Sequence, residues 1–265
     1  MRFSYKFMSY RKPALLLSLA LFVLSLLLIV FRGLNLGIDF TGGNVVQVEF
    51  TDRPDVGEVR STITSAVSSG AMIQNFGDKG IIIRTNEDTE ESRKNLVAAL
   101  TERWGANGMT VVGFEKVGPV VGRELRNQAV IGLSIALLAI LVYITLRFQF
   151  RFAVVSVVPL VHDAVLTLGF FSLSQMEISS SFIAAILTIV GYSLNNTIII
   201  LDRIRENWKN RGDIVTLVDT SINQTLSRTI NTTLTTVLPV IALCIWGGPV
   251  LAAFSIAMLV GIVVG

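Results

Sequence analysis

Val190-Gly191-Tyr192-Ser193-Leu194-Asn195-Asn196-Thr197 runs through Ile198–Leu201 into Asp202-Arg203-Ile204-Arg205-Glu206. The stretch begins in an apolar run at Ser181, carries two adjacent amides at its middle and ends in a charge cluster. Other apolar runs of spanning length flank it. In hydrocarbon an amide must find a partner, so Asn195 and Asn196 are expected to face a protein interior, a wet cavity or each other's neighbours. This polar midpoint is a candidate working centre, and the plainer alternative is hydrogen-bonding glue between helices.

Working outward, the 265 residues are 52% hydrophobic and only 15% charged, well below the roughly 25% charge of soluble domains. The charges crowd into the first dozen residues, a block from Asp39 to Arg126, and short links between apolar runs. That distribution describes an integral membrane protein with one water-soluble insert. The net charge of +3 sits mostly at membrane-flanking positions, where Lys and Arg set topology, and so does not point to nucleic acid. The lone Cys244 excludes an intramolecular disulfide, and with His162 the only histidine neither a Cys- nor a His-ligated metal centre is expected. No cofactor motif is present.

The first apolar run, Pro13–Phe31, follows Arg2, Lys6, Arg11 and Lys12. It exceeds the ~7–15 residues of a signal-peptide core and is long enough to span the bilayer, with its positive end cytoplasmic. Further spans are expected at 129–146, 152–173, 181–201, 225–246 and 250–265. The polar stretch 202–223 links the fourth and fifth, and the tight turn Gly247-Gly248-Pro249 links the fifth and sixth. The last run ends within apolar sequence, which suggests a trimmed chain. The basic links fall on one face, which predicts cytoplasmic termini and an insert on the far side, 37–126 extracytoplasmic.

Within the insert, Val46, Val48 and Phe50 alternate with Gln47 and Glu49 as in a half-buried strand. A helix is predicted over 54–69 and closed by Gly70. Strands follow at 72–76 and 81–84 around the turn Gly77-Asp78-Lys79-Gly80, then a helix from Thr89 to Trp104, and a last strand at 109–114. The order β-α-β-β-α-β is that of a ferredoxin-like split unit. The expected fold is therefore a membrane α-helical bundle of six transmembrane helices with an extracytoplasmic α+β ferredoxin-like domain. Its parts are 1–36 (N-terminus and first helix), 37–118 (the domain) and 119–265 (helices two to six).

Ionisable groups inside spans are rare and usually functional. Pro159-Leu160-Val161-His162-Asp163 places an imidazole and a carboxylate just past a residue that lacks an N–H; a position near a membrane face is the bland alternative. In the fifth span, Arg228 leads Asn231, Thr232, Thr235 and Thr236 along one helical face, where snorkelling and packing glue are the alternatives. Asn196 shares its face with Tyr192, Ile200 and Arg203. If these spans share an interior, a proton or ion pathway between the third, fourth and fifth spans follows. Gly42-Gly43 reads as an ordinary turn before a strand on pattern alone.

Several motifs in order resemble the SecF side of the SecD/SecF family. They are Gly37-Ile38-Asp39-Phe40-Thr41-Gly42-Gly43, Val117-Gly118-Pro119-Val120-Val121-Gly122, His162-Asp163, Val190–Asn195 with Asp202-Arg203-Ile204-Arg205-Glu206, Leu226-Ser227-Arg228-Thr229, and Gly247-Gly248-Pro249. The resemblance implies kinship with RND transporters (an RND-type half) and a non-enzymatic role in the bacterial inner membrane. It implies pairing with SecD, contact with the SecYEG channel, and use of the proton-motive force to draw an unfolded preprotein outward. It further implies a proton relay between an Asp in the fourth span and an Arg in the fifth, at the positions of Asn196 and Arg228. Asn196 departs from that pattern, since an amide cannot release a proton, although it resembles a protonated Asp in shape. Either an engineered Asp→Asn change or a natural variant coupling through another group would account for it. The rival functions are an RND-type exporter of small molecules or lipids, and a structural partner of SecD that moves no protons.

Overall fold

The structure, a computed structural model, describes residues 5–64, 71–85, 87, 89–147, 150–208 and 213–265. The chain forms two compact units, one of Met1–Asn35 with Ile131–Gly265 and one of Leu36–Val130.

The second unit opens with a short helix α2 (Ile38–Thr41), where the sequence suggested only an introductory turn. There follow β1 (Gly43–Phe50), α3 (Val56–Thr64), β2 (Met72–Phe76), β3 (Gly80–Thr85), α4 (Glu90–Trp104) and β4 (Met109–Val117). The expected end of α3 at Ser69 and Gly70 lies outside the described residues. The four strands make one antiparallel sheet in the order β2-β3-β1-β4. β1 starts earlier and β4 ends later than the alternation implied, because Gly43 pairs with Val117 and carries the ladder past the apolar segment. The side-chain period of two sends Val46, Val48 and Phe50 to one face, where they pack with Val59, Ile63, Leu96 and Leu100 of the two helices. Val45 and Ile82 point the other way and meet Ile38 of α2. Trp104 closes the helix-side core with its ring edge-on to Phe50, centroids 5.3 Å apart. Thr89 caps α4 by accepting from the Ser92 N–H at 3.2 Å.

The helices of the other unit are α1 (Arg11–Phe31), α6 (Phe150–Ser174), α7 (Ser180–Asn207), α8 (Ile214–Trp246) and α9 (Gly248–Val264), and α5 (Pro119–Arg147) runs from one unit into the other. Among the described residues, five stretches are long and apolar enough to cross a membrane: Phe7–Phe31, Val120–Arg147, Phe152–Ser174, Ser180–Asn207 and Ile214–Trp246. The expected sixth appears as the shorter apolar helix Leu251–Val264. The polar stretch 202–223 is itself largely helical: α7 carries the charge cluster out to Asn207, and Asp213 caps a new helix at Ile214. α6 packs on α1, α7 and α9, while α7, α8 and α9 pack on one another.

Small and polar residues set the α1–α6 seam. Gly169 lies so close to Ser25 that a Cβ there would collide with it. The Ser172 hydroxyl lies 2.9 and 2.7 Å from the carbonyls of Leu28 and Gly33 and shares its one hydrogen between these acceptors at the end of α1. Asn35 Nδ2 donates to the Gln175 carbonyl, and the Ile178 N–H donates to the Asn35 carbonyl, both at 2.8 Å. At the opposite end of the bundle the Met8 N–H donates to Asp219 at 2.8 Å, and Asn223 exchanges two hydrogen bonds with the Tyr5 backbone. The N-terminal segment and the first turns of α8 therefore share one end.

Candidate functional site

In α6, Pro159 supplies no N–H to the turn before it, and His162 and Asp163 follow one turn later. Asp163 is 3% exposed. Its Oδ1 lies 3.0 Å from His162 Nδ1, and its Oδ2 accepts from the Ser193 hydroxyl of α7 at 2.6 Å. The other ring nitrogen, His162 Nε2, lies 2.7 Å from Ser18 Oγ on α1. The Phe22 ring is stacked on the imidazole, 6.0 Å between centroids and 9° between planes. From α9, the backbone at Gly265 comes so near that a Cβ there would stand 2.7 Å from Asp163 Oδ2. A continuous chain of hydrogen bonds, Ser18–His162–Asp163–Ser193, thus joins three helices around one buried carboxylate. The Thr167 hydroxyl, one turn on, donates to the Asp163 carbonyl at 2.8 Å and not to the carboxylate.

Ser193 precedes Asn196 by three residues, which at ~100° per residue puts the two on neighbouring faces of α7, about one turn apart. Asn196 Oδ1, the Tyr192 hydroxyl and Thr229 Oγ1 of α8 are buried without a hydrogen-bond partner. An orphaned buried oxygen costs about 1–3 kcal/mol, so each of these marks a place suited to a polar guest or a second arrangement. Asn207 Nδ2 donates to Ser221 Oγ and Gln224 Oε1 at 2.9 and 3.0 Å. From that fixed point the ~1.5 Å rise of both helices sets Asn196 roughly level with the Thr232–Thr233 turn of α8.

Other residues singled out in the sequence lie elsewhere. Asn195, Arg228, Asn231 and Thr235 are exposed on the bundle surface. Thr232 is half-buried, but its hydroxyl donates to the Arg228 carbonyl at 2.8 Å within its own helix. Asp202 is exposed, and Arg203 pairs with Glu206 at 2.8 Å. Among the described residues no group of three or more His, Cys, Asp or Glu side chains could hold a metal ion. Ser18 and Ser193, which complete the Asp163 chain, were not picked out from sequence. A hydroxyl inside an apolar run beside a candidate carboxylate is the one signal that could have found them.

In the other unit the motif Gly37–Gly43 packs on the Gly118–Gly122 motif. Gly42 and Gly43 have φ of +76° and +135°. A Cβ at Gly122 would stand 3.0 Å from the Gly42 nitrogen and 3.1 Å from the Phe40 carbonyl. Phe40 is buried, while Asp39, in the first turn of α2, is half-buried. What looked like an ordinary turn is a close backbone contact between the two ends of the insert.

The family described as protein export membrane protein SecD/SecF, C-terminal, matches residues 97–265, and the SecD/SecF GG motif matches 27–52. The chain belongs to the SecD/SecF family. Protein translocase subunit SecF of Desulfurispirillum indicum is 43% identical over 277 aligned positions, covering 100% of this chain and 88% of the relative. SecF of Pseudomonas aeruginosa is 39% identical, with 98% and 86% covered. Among solved structures, SecDF from Thermus, a translocon-associated membrane protein, aligns with a TM-score of 0.89 at 37% identity over 98% of this chain. SecDF in its super-membrane-facing form aligns with a TM-score of 0.72 at 36% identity. The chain spans 36% of the length of either SecDF chain. Membership in the SecD/SecF family makes it a membrane protein and an auxiliary subunit of Sec protein export.

Proposed function

We propose that the chain pairs with SecD beside the SecYEG channel of the bacterial inner membrane and uses the proton-motive force to help draw an unfolded preprotein outward. Full-length similarity to SecF carries this reading, together with the resemblance to SecDF, in which a SecF-like part makes up about a third of the chain. In this reading Leu251–Val264 completes a sixth span. The β-α-β-β-α-β unit with strand order β2-β3-β1-β4 is a ferredoxin-like domain on the extracytoplasmic side, and the N-terminus is cytoplasmic. The shared end of the N-terminal segment and α8 supports that orientation, because it gathers Arg11, Lys12, Arg203 and Arg205 on one side.

The working groups are those that α6, α7 and α8 bring into the bilayer: His162, Asp163, Asn195, Asn196, Arg228 and Thr232. An ionised carboxylate at 196 would attract Arg228 across the α7–α8 seam, and protonation would release it. The membrane potential supplies about 2.3 kcal/mol per charge per 100 mV, enough to bias two helix packings that differ by a few kcal/mol. Rocking of the helices would then move the external domain that holds the emerging polypeptide. With Asn196 this lever stands in its neutral position.

The test is export by cells carrying the chain with its SecD. Asn196→Asp is expected to raise export that depends on the proton gradient, and Arg228→Ala on top of it to remove the gain. Equal export by the Asn and Asp forms at matched expression would favour a structural partner of SecD that moves no protons, a second reading that Asn196 itself supports.

A further inference from the structure

We propose that in this chain His162 and Asp163 form the proton-binding unit of the bundle, with Ser18 of α1 and Ser193 of α7 as its two hydrogen-bonding poles. The inference rests on the proton-driven reading above and says where the proton binds when residue 196 cannot take one.

The pair is the place in the described bundle where a carboxylate and an imidazole meet inside spanning helices. The groups that face it are few. α1 presents Ser18 and the Phe22 ring, and its Arg11 and Lys12 lie in its exposed first turn. α7 presents Ser193. Its titratable side chains are Tyr192, one residue away, and the Asp202–Glu206 cluster, about two and a half to three and a half turns on. α9 carries no titratable side chain. No cation from these elements lies against Asp163 other than the imidazole, so the charge of the unit is set by its own proton count. It is −1 with Asp163 ionised and His162 neutral, and 0 with one proton more.

Both states have a complete set of hydrogen bonds in the same heavy-atom frame. In the ionised state Asp163 accepts from Ser193 O–H and from His162 Nδ1–H, and His162 Nε2 accepts from Ser18 O–H. When a proton arrives at Nε2, the Ser18 hydroxyl turns to accept from it. Its own hydrogen then goes to the carbonyl one turn back, at Ala14, the acceptor a helical serine reaches. Transfer of the Nδ1 proton to Asp163 gives the neutral acid and returns the imidazole to neutrality. The Ser193 bond, charge-assisted and short at 2.6 Å while Asp163 is ionised, then becomes an ordinary neutral one. Loading therefore slackens the α6–α7 tie at Ser193, next in the chain to Tyr192 and about one turn from Asn196, whose side-chain oxygens are orphaned. The more accessible member, His162, with 22% of its side chain exposed against 5% for Asp163, is the point of entry.

The experiment is proton uptake by vesicles holding the full chain and the SecD of the same organism, with a pH dye inside and an acid step outside. Asp163→Asn and His162→Gln are expected to cut uptake tenfold or more, and Ser18→Ala and Ser193→Ala several-fold. Thr188→Ala, on the exposed face of α7, should match the parent. Parent-like uptake by Asp163→Asn overturns the inference, and so does parent-like uptake by His162→Gln should Asp163→Asn fail to fold. A parent chain that passes no protons sinks the proton-driven reading itself. The infrared spectrum then decides the inference: a carboxyl signal that titrates with pH and vanishes in Asp163→Asn upholds it, and a parent with no such signal overturns it.

Discussion

Gly42 and Gly122 show how much a single hydrogen in place of a methyl decides. Gly42 sits at φ +76° and ψ 165°, a region essentially reserved for glycine, where an L side chain costs about 1–3 kcal/mol. Gly122 is held against the Phe40–Gly42 backbone, which cannot step aside as a flexible side chain would. We expect Gly42→Ala and Gly122→Ala each to destabilise the insert by roughly 1–3 kcal/mol. Gly118→Ala, with open space around its Cβ position, should leave stability unchanged; denaturant titration of the purified subunit would read all three. At this scale the sequence was legible where chemistry is adjacent in the chain and opaque where it is not. His162 and Asp163 stood out as neighbours after a proline, and Tyr192 and Asn196 as one helical face. Ser18 did not, because a serine within a span usually bonds its own preceding turn, and its partner here lies 144 residues away. Arg228 sits on the surface of the subunit with Asn231 and Thr235, and nothing in helical periodicity says which face of a spanning helix a second protein will cover.

Elements followed from period and punctuation, and their ends from contacts that periodicity does not see. The alternation in β1 and the cap at Thr89 were readable, whereas the extension of β1 to Gly43 depends on Val117, brought alongside only in the folded sheet. The charge cluster at 202–206 looked like a link because its composition is polar, yet α7 continues through it, held by Asn207 on α8 and by the Arg203–Glu206 pair. α8 begins at Asp213, whose carboxylate accepts from the Thr216 N–H and hydroxyl, both at 3.1 Å. Those bonds, the backbone one first, hold its pKa below the usual carboxylate range. A depressed native pKa means that the cap contributes stability above the unfolded value and loses it as pH falls through the native one. Protection factors at the first amides of α8, with the intrinsic pH dependence of exchange divided out, should therefore fall in acid. They should fall at neutral pH in Asp213→Ala and lose their acid dependence in Asp213→Asn. On the α1–α6 seam, Gly169→Leu would drive a side chain into Ser25. Helix separation there should lower the melting temperature of the subunit in detergent and, through Ser18, weaken proton uptake as well.

For the molecule as a whole, the surface of α8 says what is missing from a lone subunit. A cation facing hydrocarbon costs about 2.5–3.5 kcal/mol on insertion scales, and amides and hydroxyls add to it. A face bearing Arg228, Asn231 and Thr235 is therefore not a lipid face. The exposed face of α1 differs: Leu15, Leu16 and Leu19 are 69%, 68% and 59% exposed and wholly apolar, as lipid requires. The SecDF relatives are chains of which this one matches about a third, and SecD is the partner proposed to cover the polar face of α8. A photo-cross-linking residue at Asn231 or Thr235 should then capture SecD in intact membranes, and one at Leu15 should not. If the α1 position captures SecD and the α8 positions capture none, the polar stripe of α8 faces something other than the partner, and Arg228 has to be explained within this subunit alone.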